Sequence, residues 1–435
     1  RDGRAAVLTA ILNAFRVPEL RNKIFFTLGI IVLYRIGSYI PLPGIPFEGL
    51  VSQFEAANTG MANTMALLNL FSGGALSYVS LFSLGIMPYI TASIIMQMMQ
   101  AVIPSLRTLA KEGETGQRKI TQYTRYLTIL LSLINAIGYL LLFTGPSYGI
   151  SFANMGVPAV LVNIMIVFGF VVGSILIMWM GELITQHGVG NGMSLIIFAN
   201  IMSRLPQAIF SSVNYTSYGA LFTILIVLVI LAVIPPIIFV ERGQRRIPIQ
   251  YAKRVVGRRV MGGQTTYLPI KVNTAGVIPI IFASSLLYVP AQLAVFFPTV
   301  GWIQVFANAV SAGWLNWVLS LFLIIFFAYF YTAMVFNPED TADNLRKQGG
   351  FIPGVRPGAA TAKYIKDVLN RITLPGAIFL ALVAIVPSIL FFFTDNTLIQ
   401  AFGGTSILIM VGVALDTMSK VESQLKMHDY EGFFK

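Results

Sequence analysis

The chain alternates long apolar runs with shorter polar ones. The apolar runs fall at about 24–40, 76–103, 122–144, 157–180, 190–210, 216–240, 273–297, 316–336, 372–393 and 399–419. Each is close to the roughly 20 residues that cross a hydrocarbon layer as a helix, so ten membrane-spanning helices are expected. Three runs open on helix breakers. The second follows Ser72-Gly73-Gly74 and contains Pro88, the fifth begins at "GVGNGMS" and the seventh at "NTAGVIP". Gly, Asn and Pro persist at membrane depth only where protein or a water-filled cavity satisfies the freed backbone groups. The interruptions therefore predict an interior pathway in place of a solid bundle.

The polar positions set an orientation. With the N-terminus inside, the inner segments are 1–23, 104–126, 181–189, 241–272, 337–371 and 420–435, and they hold 27 of the 29 Lys and Arg. Only Arg35 and Arg204 lie elsewhere, while the outer segments hold Glu48, Glu55 and Asp395. This asymmetry predicts both termini on the cytoplasmic side. Arg35, within the first span, reads as a side chain snorkelling to the outer interface. The spans divide into two halves of five, 24–210 and 211–419, flanked by an amphipathic segment at 1–23 and a tail at 420–435. Five is odd, so the halves would run in opposite senses as an inverted pseudo-repeat, although no residue-level repeat is evident.

Composition agrees: 56% of the residues are hydrophobic and 11% charged, against about 25% charged in soluble domains. The chain has no cysteine, which removes disulfides, thiolate nucleophiles and Cys-based metal sites together. The first apolar run follows a basic stretch and lacks an A-x-A-like exit, so no cleavable signal peptide is read there. Because the sequence opens on Arg1, a few native residues are expected before it.

Catalytic chemistry finds little to stand on. The spans offer only Asp416, with Glu182 just past another span, and no facing pair of aspartates. His187 and His428 are far apart, no H-E-x-x-H occurs, and both read as surface or loop residues. Gly188-Val189-Gly190-Asn191-Gly192 lacks the sixth glycine of a dinucleotide fingerprint, since Met193 stands there. No phosphate-binding G-x-x-x-x-G-K-[ST] is present, so neither an enzyme nor a cofactor is expected. An ion-coupled transporter would bury ionisable groups at midplane, and the spans have almost none. They hold branched aliphatics instead: Ile86 and Ile90, and Met193 and Ile197, each four apart on a helix face beside a break. Core packing is the bland reading of such pairs. A hydrophobic constriction that excludes water by dewetting is the sharper one. The loops 241–272 and 337–371 are longer and richer in Arg than topology requires, which suits phosphate or carboxylate partners.

Nine blocks then run in order: "RIGSYIPLPGI" (35–45), "NLFSGGAL" (69–76), "LGIMPYITASIIMQ" (84–97), "EGETGQRKITQYTRY" (112–126), "GVGNGMSLIIFANI" (188–201), "ERGQRRIPIQYAKR" (241–254), "LPIKVNTAGVIPIIFASS" (268–285), "NPEDTADNLRKQGGFIPGVRPG" (337–358) and "FGGTSILI" (402–409). Together they closely resemble the bacterial SecY family, the central subunits of protein-conducting translocation channels. The resemblance implies an all-α polytopic membrane protein, with ten helices in two halves around an hourglass pore. Secreted polypeptides would pass through its centre and membrane helices would leave through a lateral gate. It implies a plug at about 58–75 that includes Asn69, Leu70, Phe71, Ser72, Gly73 and Gly74. The pore ring would comprise Ile86, Ile90, Met193, Ile197, Ile281 and Ile409, with Met193 departing from the isoleucine common at its place. The gate would lie between the second and third helices and the seventh and eighth, with Thr91, Gln97, Asn273, Ser284 and Ser285 along it.

Docking of a SecA-type motor ATPase or of ribosomal RNA phosphates is implied for Arg245, Arg246, Lys253, Arg254, Arg258, Arg259 and Arg356. SecE-like and SecG-like small membrane subunits, signal sequences, nascent polypeptides and membrane lipid complete the implied partners. The implied location is the cytoplasmic membrane of a bacterium. With that resemblance, the stretch from about Leu76 reads as a pore-lining helix loosened at Pro88. A solute transporter with inverted repeats and a docking scaffold are the competing readings.

Overall fold

The computed structural model describes residues 15, 17–43, 72–144, 158–214, 219–251, 254–256, 259–261, 265–297, 300–311, 314–394 and 404–432. Asn69, Leu70, Phe71, Lys253 and Arg258 lie outside the described residues. The helices are α1 (Pro18–Gly37), α2 (Met87–Val102), α3 (Pro104–Lys111), α4 (Glu114–Thr144), α5 (Ala159–His187), α6 (Gly192–Asn214) and α7 (Gly219–Arg242). They continue as α8 (Ile278–Phe296), α9 (Gly301–Ser311), α10 (Trp314–Val335), α11 (Pro338–Lys347), α12 (Ala359–Thr394) and α13 (Gly404–Gly432). Four described stretches are long and apolar enough to cross a membrane: Glu114–Leu141, Val160–His187, Trp314–Lys347 and Ala359–Pro387. A fifth is added if α2 and α3, which meet at 101°, count as one bent span.

The second apolar run differs from its sequence reading. Its helix begins at Met87 and not at Leu76, and Pro88 occupies the first turn. A first-turn N–H has no intrahelical acceptor in any case, so proline starts this helix instead of loosening its middle. Upstream, Ser72–Ile86 is a succession of turns around a 3₁₀ turn at Ala75–Tyr78. Its backbone is satisfied locally. Pro41 and Ser80 form an antiparallel bridge, the Leu81 N–H donates to Ile40 O at 2.9 Å, and Ser83 Oγ donates to Ala75 O at 2.9 Å. Phe82 stacks on the buried Tyr34 of α1 with ring centroids 5.5 Å apart. A non-helical segment is thereby held in the interior by backbone groups paired with one another, as burial demands.

The all-α expectation is corrected to a mostly helical fold with a small β-cap. The run Arg246-Ile247-Pro248-Ile249-Gln250 alternates polar and apolar positions with period two, the signature of a half-buried strand. Strand β1 (Gln244–Tyr251) buries Ile247 and Ile249 and exposes Arg245, Arg246 and Pro248. It pairs antiparallel with β4 (Thr265–Lys271) on one edge and β5 (Gly350–Phe351) on the other. Strands β2 (Arg254–Val256) and β3 (Arg259–Met261) form a separate hairpin. The two long loops therefore share one sheet. Ile247, Ile249 and Ile270 pack on Leu345, Ile352, Ile365 and Leu369, a core distinct from that between the long helices.

Among the long helices, α2 packs on α4, α4 on α5 and α5 on α6, while α8 packs on α10, α10 on α12 and α12 on α13. The two series meet where α8 touches α2 and α4 and where α13 touches α6 and α7. Ile365 is fully buried under the cap. Its replacement by Ala should cost about 2–5 kcal/mol of cap stability through lost burial and a residual cavity. Tryptic cleavage after Arg245 and Arg246 should then accelerate in the otherwise intact protein, and an unchanged cleavage rate would contradict this packing.

Candidate pore and gate

Four helices bring the predicted ring residues together. Ile86 caps α2 and Ile90 follows in its first turn; Met193 and Ile197 lie in the first two turns of α6, as do Ile281 in α8 and Ile409 in α13. All five isoleucines belong to one buried cluster, with Met193 packed against it. The sequence produces this geometry by starting helices next to the aliphatics. Asn191 Oδ1 accepts from the Met193 N–H at 3.1 Å and the Gly192 N–H donates to Thr185 Oγ1 at 2.9 Å. These side-chain acceptors satisfy groups that a helix start leaves unpaired.

Ile90, Met193, Ile197 and Ile281 floor a cavity of about 330 Å³. Its lining is mixed: Ser93, Gln97, Glu182, Gln186 and Asn191 stand beside Tyr89, Ile278 and Phe282. Glu182 is not loose in this vestibule. Arg125 of α4 grips it with Nε to Oε1 at 2.9 Å and Nη2 to Oε2 at 2.6 Å, a bidentate pair that ties α4 to α5. The polar side chains offer water hydrogen-bond partners there, whereas Ile90, Met193, Ile197 and Ile281 offer it none.

The predicted gate residues take different positions. Thr91 is half-buried on α2, and Gln97 lines the vestibule with Nε2 donating to Ser93 Oγ at 3.1 Å. Asn273 Nδ2 donates to Glu241 Oε1 at 2.8 Å and to Gly276 O at 2.9 Å, which fixes the start of α8. Ser284 and Ser285 donate back to carbonyls of their own helix, at Ile280, Ile281 and Ile281 respectively. The direct polar tie across the α4–α8 seam is one the sequence reading missed: Tyr139 Oη and Tyr288 Oη are 2.8 Å apart. Next to it, Gly138 presses so closely on the Phe296 ring that a Cβ there would collide. A tyrosine in each of two apolar runs, beside a glycine, was the available signal. It could not be distinguished from ordinary core packing.

Arg35 has partners that the sequence does not show. Its Nη1 donates to Gly73 O at 3.2 Å, and the guanidinium lies 5.5 Å from the Tyr39 ring centroid. The turn at Gly73 and Gly74, with φ of 67° and 94°, brings that carbonyl into reach. Of the predicted docking residues, Arg245 and Arg246 are exposed on β1 and Arg356 is exposed, with its carbonyl accepting from Thr361 Oγ1. The backbones of Arg254 and Arg259 lie on the β2–β3 hairpin. His187 ends α5 with its ring edge-on to Phe26. Among the described residues no group of His and carboxylates could hold a metal ion.

Comparison with known proteins is consistent throughout. The family model described as SecY matches residues 80–418. The chain is 47% identical over 445 residues to a protein translocase subunit SecY of Streptomyces coelicolor, covering 99% of this chain and 100% of the relative. It is 46% identical over 443 residues to the corresponding subunit of Mycobacterium bovis, with the same coverage. A solved structure described as that of a protein conducting channel superposes with a TM-score of 0.60 at 19% identity, over 92% of this chain and 91% of that one. A structure of Sec61 in the canine ribosome-channel complex superposes with a TM-score of 0.56 at 18% identity, over 92% and 91%. The chain belongs to the SecY family.

Proposed function

We propose that this chain is the protein-conducting subunit of a bacterial protein translocase. It passes secretory polypeptides across the cytoplasmic membrane and releases membrane helices sideways into it. The observation that carries the reading is the aliphatic cluster on α2, α6, α8 and α13, which borders a cavity that polar side chains also line. Ile86, Ile90, Met193, Ile197, Ile281 and Ile409 act as a gasket that yields to a polypeptide and closes against ions by dewetting. The chain performs no catalysis: a partner supplies directional work and this subunit supplies a path.

Ten spans in two halves, 24–210 and 211–419, with both termini cytoplasmic, fit the charge distribution along the sequence. In that arrangement α8 opens against α2 and α4 as the lateral gate, with Thr91, Gln97, Asn273, Ser284 and Ser285 along or near it. The plug runs over about 58–75 and ends in Ser72-Gly73-Gly74. Sharing one sheet, the two long loops form a single platform, on which exposed Arg245, Arg246 and Arg356 meet ribosomal RNA phosphates or a SecA-type motor. A ribosome is a reasonable partner because the canine neighbour of the same fold is part of a ribosome-channel complex. SecE-like and SecG-like subunits are proposed from the family resemblance.

Replacing Ile86 by Ser together with Ile409 by Asn places polar groups in the gasket. Resting ion conductance of the reconstituted complex in planar bilayers should rise several-fold; conductance at the parental level would remove these residues from the ring. Tyr139→Phe deletes one hydroxyl of the seam. A buried hydrogen bond contributes about 0.5–1.5 kcal/mol net, so the open-gate population should rise roughly two- to tenfold. Export of a precursor whose signal sequence has lost one leucine should improve in the Tyr139→Phe complex, and unimproved export would show that the tie does not restrain the gate.

A further inference from the structure

Helix α7 ends at Arg242 and α8 begins at Ile278. Between them the chain leaves as β1 and returns as β4, and a ladder from Gln250↔Thr265 to Gln244↔Lys271 keeps the two strands side by side. The pairing continues past the strands. The Val272 N–H donates to Gly243 O at 2.8 Å, and next to it Asn273 Nδ2 donates to Glu241 Oε1 at 2.8 Å. The same Nδ2 donates to Gly276 O at 2.9 Å, and Thr274 Oγ1 donates to Lys271 O at 3.0 Å. Gly276, at φ 63°, turns the chain into α8, whose first turns carry Ile281. Asn273 is 6% exposed, so water has little access to its amide. The foot of this arm is also wedged against neighbouring helices. A Cβ on Gly412 of α13 would collide with Val277 Cγ1 and lie 3.8 Å from Glu241 Oε1, and one on Gly376 of α12 would lie 3.0 Å from Val272 O.

We propose that Glu241 is a positioning residue: its bond to Asn273 locks the foot of the β1–β4 arm to the first turn of α8, so that a load on the arm reaches Ile281. The ladder alone cannot do this. It ends at Gln244 and Lys271, and from Val272 to Val277 the chain passes through bends and a turn. Gly276 at positive φ would let that segment absorb a displacement by changing its dihedrals. An amide held between a carboxylate and the Gly276 carbonyl braces it from two sides. A hydrogen bond to a charged group is also stronger than one between neutral groups. Exposed Arg245 and Arg246 follow Glu241 on the same arm, so the docking surface and the brace are adjacent. Glu241, Asn273, Gly376 and Gly412 all lie within 211–419, so the bond crosses no seam between the two proposed halves. In that it differs from the Tyr139–Tyr288 pair: it passes on motion and does not hold the gate shut. The joint rests on the channel reading above.

The test uses vesicles holding the full chain with the proposed small membrane subunits, and the proposed SecA-type motor ATPase added at increasing concentration. The rate at which a secretory precursor becomes protease-protected is measured. Glu241→Ala should lower the maximal rate about tenfold, the effect expected on losing a charge-assisted contact. The half-saturating motor concentration should stay within about twofold of the parent, because Arg245, Arg246 and Arg356 are untouched. Glu241→Gln keeps an acceptor oxygen and should bring the maximal rate back to within about threefold of the parent. Asn273→Ala breaks the same bond from the other side and serves where Glu241→Ala does not assemble. The double variant should lose no more than Asn273→Ala alone. Resting ion conductance of all these variants should stay at the parental level. A parental maximal rate in both alanine variants, or a change confined to the half-saturating concentration, would overturn the proposal. So would a several-fold leak at rest, which would make the bond a tie on the closed gate, or an equal loss in Glu241→Gln. If these failures occur while the parent protects the precursor, the joint is wrong and the channel stands. If the parent protects none at any motor concentration, the channel reading fails and takes the joint with it.

Discussion

A helix that begins inside an apolar environment leaves its first four backbone N–H groups without intrahelical acceptors, and no lipid can supply them. This chain meets that constraint at α2, α6 and α8, and the way it does so organises the rest of the structure. At α2 the problem is reduced by Pro88, which has no N–H, and by turns that lead into the helix from Ser72. At α6 it is met by the Asn191 and Thr185 side chains. At α8 the Asn273 amide braces the preceding turn through Gly276 O and Glu241. The breaks also bring the ends of helices, and not their flanks, to a common centre.

Placing aliphatics in those first turns has a physical consequence. A ring built from helix ends can be widened by tilting or shifting each helix, whereas one built from continuous flanks would require whole interfaces to separate. Leucine-like packing strength is retained, because the isoleucines are part of the largest buried cluster. Directional ties between elements include the Tyr139–Tyr288 pair on the seam, the Arg125–Glu182 pair holding α4 to α5, the Asn273–Glu241 bond, and the Arg35 bond to Gly73. Non-directional packing permits sliding, while a few hydrogen bonds define the resting position. The cap follows a different logic, since strand pairing between β1, β4 and β5 makes one rigid platform from two loops.

Much of this was legible in the residues and some of it was not, for identifiable reasons. The apolar runs located the long helices because membrane solvent imposes a strong length and polarity signal. Two pairs of the proposed ring, Ile86 with Ile90 and Met193 with Ile197, stood out in the sequence as aliphatics beside helix breaks, a pattern core packing also produces, while Ile281 and Ile409 came only from the family resemblance. The exact start of α2 was missed because a hydropathy reading cannot separate an apolar turn from an apolar helix: Leu76, Val79 and Phe82 are buried in either case. The strands escaped because charge dominated the reading of 241–272, although Ile247 and Ile249 already alternate with polar neighbours. The Arg35 bond to Gly73 O was not legible because 38 residues separate the two in sequence and only the fold makes them neighbours. Tyr139 and Tyr288 were invisible for the same reason, at a separation of 149.

The central claim is that this chain provides a path for polypeptides and not for small solutes. Vesicles containing the full chain with the proposed small membrane subunits and the proposed motor ATPase should render a secretory precursor resistant to added protease in the presence of ATP. Resistance should disappear when detergent opens the vesicles. Solute uptake by the same vesicles without any precursor protection would contradict the account.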